Sequence, residues 1–142
     1  MALTLEQIHC VEWMHPKTVV RGDMLIADAA RLMADKDIGC VLVSVDGKEV
    51  GMVTERDILK RVVAKGLDPT STRVDQIQSE PLVTVDEEAT LEDAANLMAQ
   101  NRIRRLPVVN KKDEIIGIVS TRTISYALAR SREDRGPSRA KN

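Results

Sequence analysis

Two blocks of this chain are written twice. Ala27-Asp28-Ala29-Ala30-Arg31-Leu32-Met33-Ala34 returns 65 positions later as Glu92-Asp93-Ala94-Ala95-Asn96-Leu97-Met98-Ala99. Gly51-Met52-Val53-Thr54-Glu55-Arg56 returns 66 positions later as Gly117-Ile118-Val119-Ser120-Thr121-Arg122. A repeat of that period within 142 residues leaves room for two copies of one supersecondary unit and no more. A two-lobed enzyme of ordinary size does not fit. The one-residue change of offset falls between the blocks, in a turn, where insertions are tolerated.

Both copies read alike. Ile26, Ala29, Ala30 and Met33 stand at i, i+3, i+4 and i+7, and Leu91, Ala94, Ala95 and Met98 repeat that helical stripe. Strands rich in β-branched residues follow, over 40–45 and 106–109. Asp46-Gly47 is a favoured hairpin dipeptide, and Lys111-Lys112-Asp113 takes its place in the second copy. Second strands are expected over 50–53 and 115–119, each running into a further helix. Ile58, Leu59, Val62 and Val63 stripe the first of these helices, which Gly66 and Pro69 stop. Apolar extended segments, 18–20 and 82–85, precede the first helix of each copy. The unit is β-α-β-β-α, twice, in the α/β class (α+β by some schemes). Around it, Thr4 with Gln7 forms a capping-box pattern for a short helix within an N-terminal extension, 1–10. The copies span 11–67 and 73–130, joined by a linker at 68–72, and 131–142 reads as a disordered basic tail.

Composition removes several functions. Trp13 and Tyr126 are the only aromatics, too few to stack a single strand of nucleic acid. A net charge of −1 lacks the basic footprint of a duplex binder. No apolar run approaches the ~20 residues of a membrane span, and Met1 to Cys10 has no basic region of a signal peptide. Cys10 and Cys40 suit a reducing compartment, so a cytoplasmic protein is expected. His9, Cys10, His15 and Cys40 have no zinc-like spacing, and no nucleophile elbow, Walker or Rossmann pattern occurs, so neither a metal site nor catalysis is expected.

The chemistry concentrates at Thr54-Glu55-Arg56-Asp57, where a strand passes into a helix. A carboxylate there can accept two hydrogen bonds from a ribose diol, while the hydroxyl and helix amides face phosphate oxygens. Thr-x-x-Asp is equally a capping box, which only satisfies helix amides. Both readings stay open on these residues alone. The second copy, Ser120-Thr121-Arg122-Thr123, has no acid in the last place.

The tandem β-α-β-β-α unit, the junction motif Gly51-Met52-Val53-Thr54-Glu55-Arg56-Asp57, the segment Ile103-Arg104-Arg105-Leu106-Pro107-Val108-Val109 and the paired D-A-A-x-L-M helices resemble the CBS (cystathionine β-synthase) domain. Two copies in tandem make a Bateman module, here over about 11 to 130. The resemblance implies two quasi-symmetric repeats packed through their sheets, pairing into a homodimer. It implies a non-catalytic regulator that binds AMP, ADP or ATP, Mg²⁺ being left open, and acts on an enzyme or transporter as an energy sensor. Asp57 would take the ribose with Thr54 beside it, and Arg56, Arg104 and Arg105 become candidates for phosphate, Arg104 first. Met52, Pro81, Leu82, Val83 and Ile103 would line the adenine. The opposite site would use Thr18, Val19, Val20, Ile38, Gly39 and Cys40 with Ser120 and Thr123. It lacks both the acid and a cation at the start of its strand, so it should be weak or empty. Arg122 matches Arg56 in that weak site, which makes Arg56 a poor discriminator.

Two rivals remain: S-adenosylmethionine, methylthioadenosine or cyclic di-AMP as the ligand, and a ligand-free dimerisation scaffold in which Thr54 and Asp57 only cap.

Overall fold

The computed structural model describes residues 4–133, the last three by backbone alone. In chain order come a 3₁₀ turn (Leu5–Gln7), α1 (Cys10–Trp13), β1 (Val19–Arg21), α2 (Ile26–Lys36), β2 (Cys40–Val45), β3 (Lys48–Thr54) and α3 (Glu55–Ile58), which a π turn (Leu59–Val63) prolongs. Then follow α4 (Val74–Ile77), β4 (Val85–Asp86), α5 (Leu91–Asn101), β5 (Arg105–Val109), β6 (Ile115–Ser120) and α6 (Thr121–Glu133). The β-α-β-β-α unit occurs twice as the repeat predicts. Each copy builds one three-stranded sheet, β1-β2-β3 and β4-β5-β6, its first pair parallel and its second antiparallel. Even the irregularities match: the register shifts between Val43 and Ser44, and again between Val108 and Val109.

Local chemistry accounts for the punctuation. Asp46 (φ 52°) and Gly47 (φ 80°) both turn left-handed, as a tight hairpin with two positive-φ residues requires. Helices α2 and α5 each end on a left-handed residue, Asp37 and Arg102. Thr4 makes half of its expected box. Its N–H donates to Gln7 Oε1 at 2.9 Å, and the turn that follows is 3₁₀, not α.

The chain forms two compact units: 17–82, and the described residues of 1–16 with those of 83–142. The first is built on Val20, Ile26, Ala29, Met33, Val41, Val43 and Val53, with Val62, Val74 and Ile77. The other is built on their counterparts Val85, Leu91, Ala94, Met98, Leu106, Val108 and Val119, with Ile8, Cys10 and Ala127. Each Val, Leu, Ile or Met side chain among them contributes about 1.5–3 kcal/mol by leaving water.

These units divide the chain differently from the sequence repeats. Residues 68–79 complete the unit 17–82. The carbonyls of Pro69 and Thr72 accept the N–H groups of Ala27 and Ile26 (3.0 and 2.8 Å), capping α2 where Leu25 has no polar side chain to do so. Ser79 then pairs with Met52 in both directions (2.8 and 3.1 Å), adding a bridge to the edge of β3. Residues 8–15 do the same for the other unit. Leu91 N–H donates to Ile8 O at 2.8 Å, and His15 pairs with Ile118 on β6 (2.8 and 2.9 Å). The segment expected as a linker and the one expected as an extension are thus equivalent lead-ins.

Two further expectations change. The stripe of α3 splits: Val62 is buried and Ile58 half-buried, while Leu59 and Val63 are 59% and 64% exposed. The wider π turn, with Ala64 N–H reaching Leu59 O, turns Leu59 and Val63 outward together. At the C-terminus α6 carries the backbone through Glu133, into the segment expected as tail; residues 134–142 lie outside those described.

Cys10 is 0% exposed, and its thiol donates to Thr90 O at 3.5 Å. Burial, assisted by the nearby Asp93 carboxylate, pushes its pKa up to about 11. The unfolded chain loses this proton near 9 and the folded one near 11, so the stabilisation is full below pH 9 and disappears as pH rises through 11. A fall on the order of 2 kcal/mol in urea-unfolding free energy between pH 8.5 and 11 is expected, absent in Cys10→Ala. An equal fall in both proteins would show that another group titrates.

Candidate functional site

The junction of β3 and α3 carries the candidate carboxylate. Thr54 is the N-cap, and its Oγ1 accepts from Asp57 N–H at 3.1 Å while Asp57 Oδ2 accepts from Thr54 N–H at 2.9 Å. This is a complete capping box. Glu55 N–H donates to Gly39 O at 3.1 Å, which seats the helix start against the turn before β2. Asp57 is otherwise held by one residue distant in sequence and one a helical turn along. Ser79 Oγ donates to its Oδ1 at 3.3 Å, and Arg61 Nε stands 3.8 Å from the same oxygen. Its side chain keeps 14% of its surface exposed.

A carboxylate offers about four acceptor positions, and the two hydrogen bonds fill one on each oxygen. One further position per oxygen is left, which is the number a vicinal diol uses. Capping therefore leaves acceptor capacity on both oxygens of Asp57.

The matching junction of β6 and α6 is built from hydroxyls. Ser120 N–H donates to Thr123 Oγ1 (3.0 Å) and Thr123 N–H to Ser120 Oγ (3.2 Å), a box without an acid. Thr123 Oγ1 also meets Ser120 Oγ at 3.1 Å and His15 Nε2 at 2.8 Å. One hydroxyl has three bonding positions, and all three are occupied. Thr123 is 1% exposed.

The other candidates fall as follows. Met52 is buried in β3 beside Ser79, Pro81 is exposed and Leu82 half-buried, all in the unit of Asp57. Arg56 is exposed on α3. Val83, Ile103, Arg104 and Arg105 belong to the other unit. Val83, Ile103 and Arg105 are half-buried there. Arg104 is exposed, with its carbonyl accepting Thr121 N–H at 3.0 Å at the start of α6. Thr18, Ile38, Gly39 and Cys40 are half-buried, Val19 exposed and Val20 buried in the core of the unit 17–82.

Sequence reasoning missed Ser79, Arg61 and His15 as partners of these motifs. Arg61 had a signal, since it stands at i+4 from Asp57 on one helix. Ser79 and His15 had none, being 22 and 108 residues from the groups they touch.

The CBS domain family model matches residues 10–64 and 74–130, one match on each copy. This chain is a CBS-domain protein. Such domain pairs are in general ligand-binding regulatory modules, not catalysts. The CBS domain-containing protein YhcV of Bacillus subtilis is 41% identical over 101 residues, 71% of either chain. An uncharacterized protein of Methanopyrus kandleri, MK0525, is 36% identical over 98 residues, which are 68% of this chain and 50% of that one. Among solved structures, a hexameric CBS-CP12 protein from bloom-forming cyanobacteria superposes with a TM-score of 0.78 at 35% identity, covering 93% of this chain and 76% of that one. The CBS domain pair of protein MJ0100, crystallised with 5′-methylthioadenosine and S-adenosyl-L-methionine, gives 0.75 at 23% identity, over 85% and 95% of the two chains. That last likeness is one of fold. Among the described residues no cluster of three His, Cys, Asp or Glu is gathered for a metal, and no helix is long and apolar enough to cross a membrane.

Proposed function

We propose that this CBS pair is a sensor of an adenine nucleotide (AMP, ADP or ATP), bound at one site per chain. The carrying observation is the contrast between the two junctions. Asp57 retains an acceptor position on each oxygen, whereas the Thr123 hydroxyl has none to offer. Asp57 takes the ribose diol with Thr54 beside it, and Met52, Pro81, Leu82, Val83 and Ile103 pack the adenine. Phosphate charge falls to Arg104, Arg105 and Arg56 on the family likeness. The site of Thr18, Val20, Ile38, Gly39, Ser120 and Thr123 is the weak one. On the family likeness the chain pairs into a homodimer. Binding then shifts the dimer between geometries for which the ligand has different affinities, and a separate enzyme or transporter in the cytoplasm reads the result.

A second reading, an adenosyl thioether as ligand, is favoured by what the MJ0100 pair was crystallised with. Thermal unfolding with AMP, ADP, ATP, S-adenosylmethionine, methylthioadenosine and cyclic di-AMP, each at millimolar concentration, separates the readings. Ligand at about 100 times its dissociation constant adds roughly 2.7 kcal/mol, a rise of several degrees. A rise with nucleotides is expected. A rise with the thioethers alone transfers the site to them, and none at all leaves an interaction scaffold.

A further inference from the structure

Arg61 is engaged on two sides of the candidate site. Its Nη1 donates to Ile77 O at 2.9 Å and to Gln78 O at 3.2 Å, and its Nε stands 3.8 Å from Asp57 Oδ1. One guanidinium therefore touches both the carboxylate on α3 and the two carbonyls that lead into Ser79. Ser79 closes the loop, with its hydroxyl on Asp57 and its backbone paired to Met52. The next residues are Glu80, Pro81 and Leu82. Gln78 is drawn in by the same arrangement. Its Oε1 is buried against Gly51 with no hydrogen-bond partner, a cost that holding the lead-in at this place must offset.

We propose that Arg61 is a positioning residue of the ligand site, setting the Asp57 carboxylate and the 77–82 segment relative to each other. The role rests on the reading of Asp57 as the ribose acceptor. Arg61 touches no ligand in it. A planar fork suits the task, because it reaches two carbonyls with one nitrogen and still presents Nε to the carboxylate; a lysine ammonium keeps the charge without that geometry. In the other unit the place of Arg61, 66 positions on, is Ala127, buried in the core, and the junction is tied to its lead-in by the His15 ring on Thr123 instead. The asymmetry follows that of Asp57 and Thr123. The unit with the acid has the guanidinium.

The test uses the full chain with Arg61→Met, Arg61→Lys and Asp57→Asn, singly and as the Arg61→Met/Asp57→Asn double variant. Amide hydrogen exchange without ligand is read at Met52 and Ser79, and AMP and ATP affinity by calorimetry. Arg61→Met should speed exchange at Met52 and Ser79 about 10-fold or more while leaving Leu106 and Val108 in the other unit unchanged. It should weaken nucleotide binding roughly 10-fold where Asp57 is present and less than about 2-fold in the Asp57→Asn background. Arg61→Lys should recover affinity in part but not the slow exchange. Unchanged exchange, or an affinity loss of the same size in both backgrounds, would overturn the positioning role while leaving Asp57 as the acceptor. No binding of any nucleotide by the wild type would instead overturn the reading of Asp57, and the positioning role with it.

Discussion

Gly117→Ala is expected to destabilise this chain by about 2–3 kcal/mol, several times more than Gly51→Ala at the equivalent place. A Cβ on Gly117 would lie 2.6 Å from Met14 Sδ, 2.8 Å from Met14 Cγ and 2.9 Å from the backbone oxygen of His15. The thioether can rotate away, but the carbonyl cannot move alone. It accepts from Ile118 N–H at 2.9 Å, and the same residue holds Thr123 through its ring at 2.8 Å. Relieving the clash therefore costs the bridge that ties the lead-in to β6. At Gly51 the atoms nearest the new methyl all belong to the side chain of Gln78, Oε1, Cδ and Cγ at 2.5 to 3.0 Å. That amide oxygen is unpaired where it sits, so turning it toward water recovers part of the cost. Urea midpoints of the two variants measure the difference. Equal midpoints would mean that the 14–16 segment yields as readily as a side chain.

Asp57→Asn should weaken adenine-nucleotide binding by about 10–100-fold, roughly 1.5–3 kcal/mol, with the unfolding midpoint nearly unchanged. The asparagine carbonyl oxygen can still accept from Thr54 N–H, as Asp57 Oδ2 now does from the third helical position of the box. Its amide can donate to Ser79 Oγ in place of the hydrogen bond that Ser79 now gives. What disappears is the second acceptor oxygen and the negative charge beside Arg61. The variant thus separates the capping role of this residue from its proposed role in ligand binding. Full affinity in Asp57→Asn would remove the carboxylate from ligand binding and leave it a cap. A large loss of stability would show that its charge, not its geometry, holds α3.

Much of this could be read from the residues. Apolar spacing at i, i+3, i+4 and i+7 located α2 and α5, and Asp46-Gly47 located the first hairpin, because helix, strand and turn preferences act over a few neighbours. The Thr54–Asp57 box is another short-range pattern, and it formed as spaced. The outward turn of Leu59 and Val63 was not legible, since the same apolar residues could have followed an ordinary helical phase.

The sequence by itself determined the repeat, the order and type of its elements, and the residues able to serve as acceptors at each junction. Only the tertiary structure decided what those acceptors touch. Ser79 comes to Asp57, and His15 to Thr123, because each sheet leaves one edge of its last strand open and the nearest lead-in segment fills it, whereas Arg61 reaches Asp57 from one helical turn away. Backbone pairing along a strand edge is specified by which N–H and C=O groups lie unpaired in space. No periodicity in the chain records that, so the residue 108 positions away and the residue three positions away became neighbours of one hydroxyl by different causes.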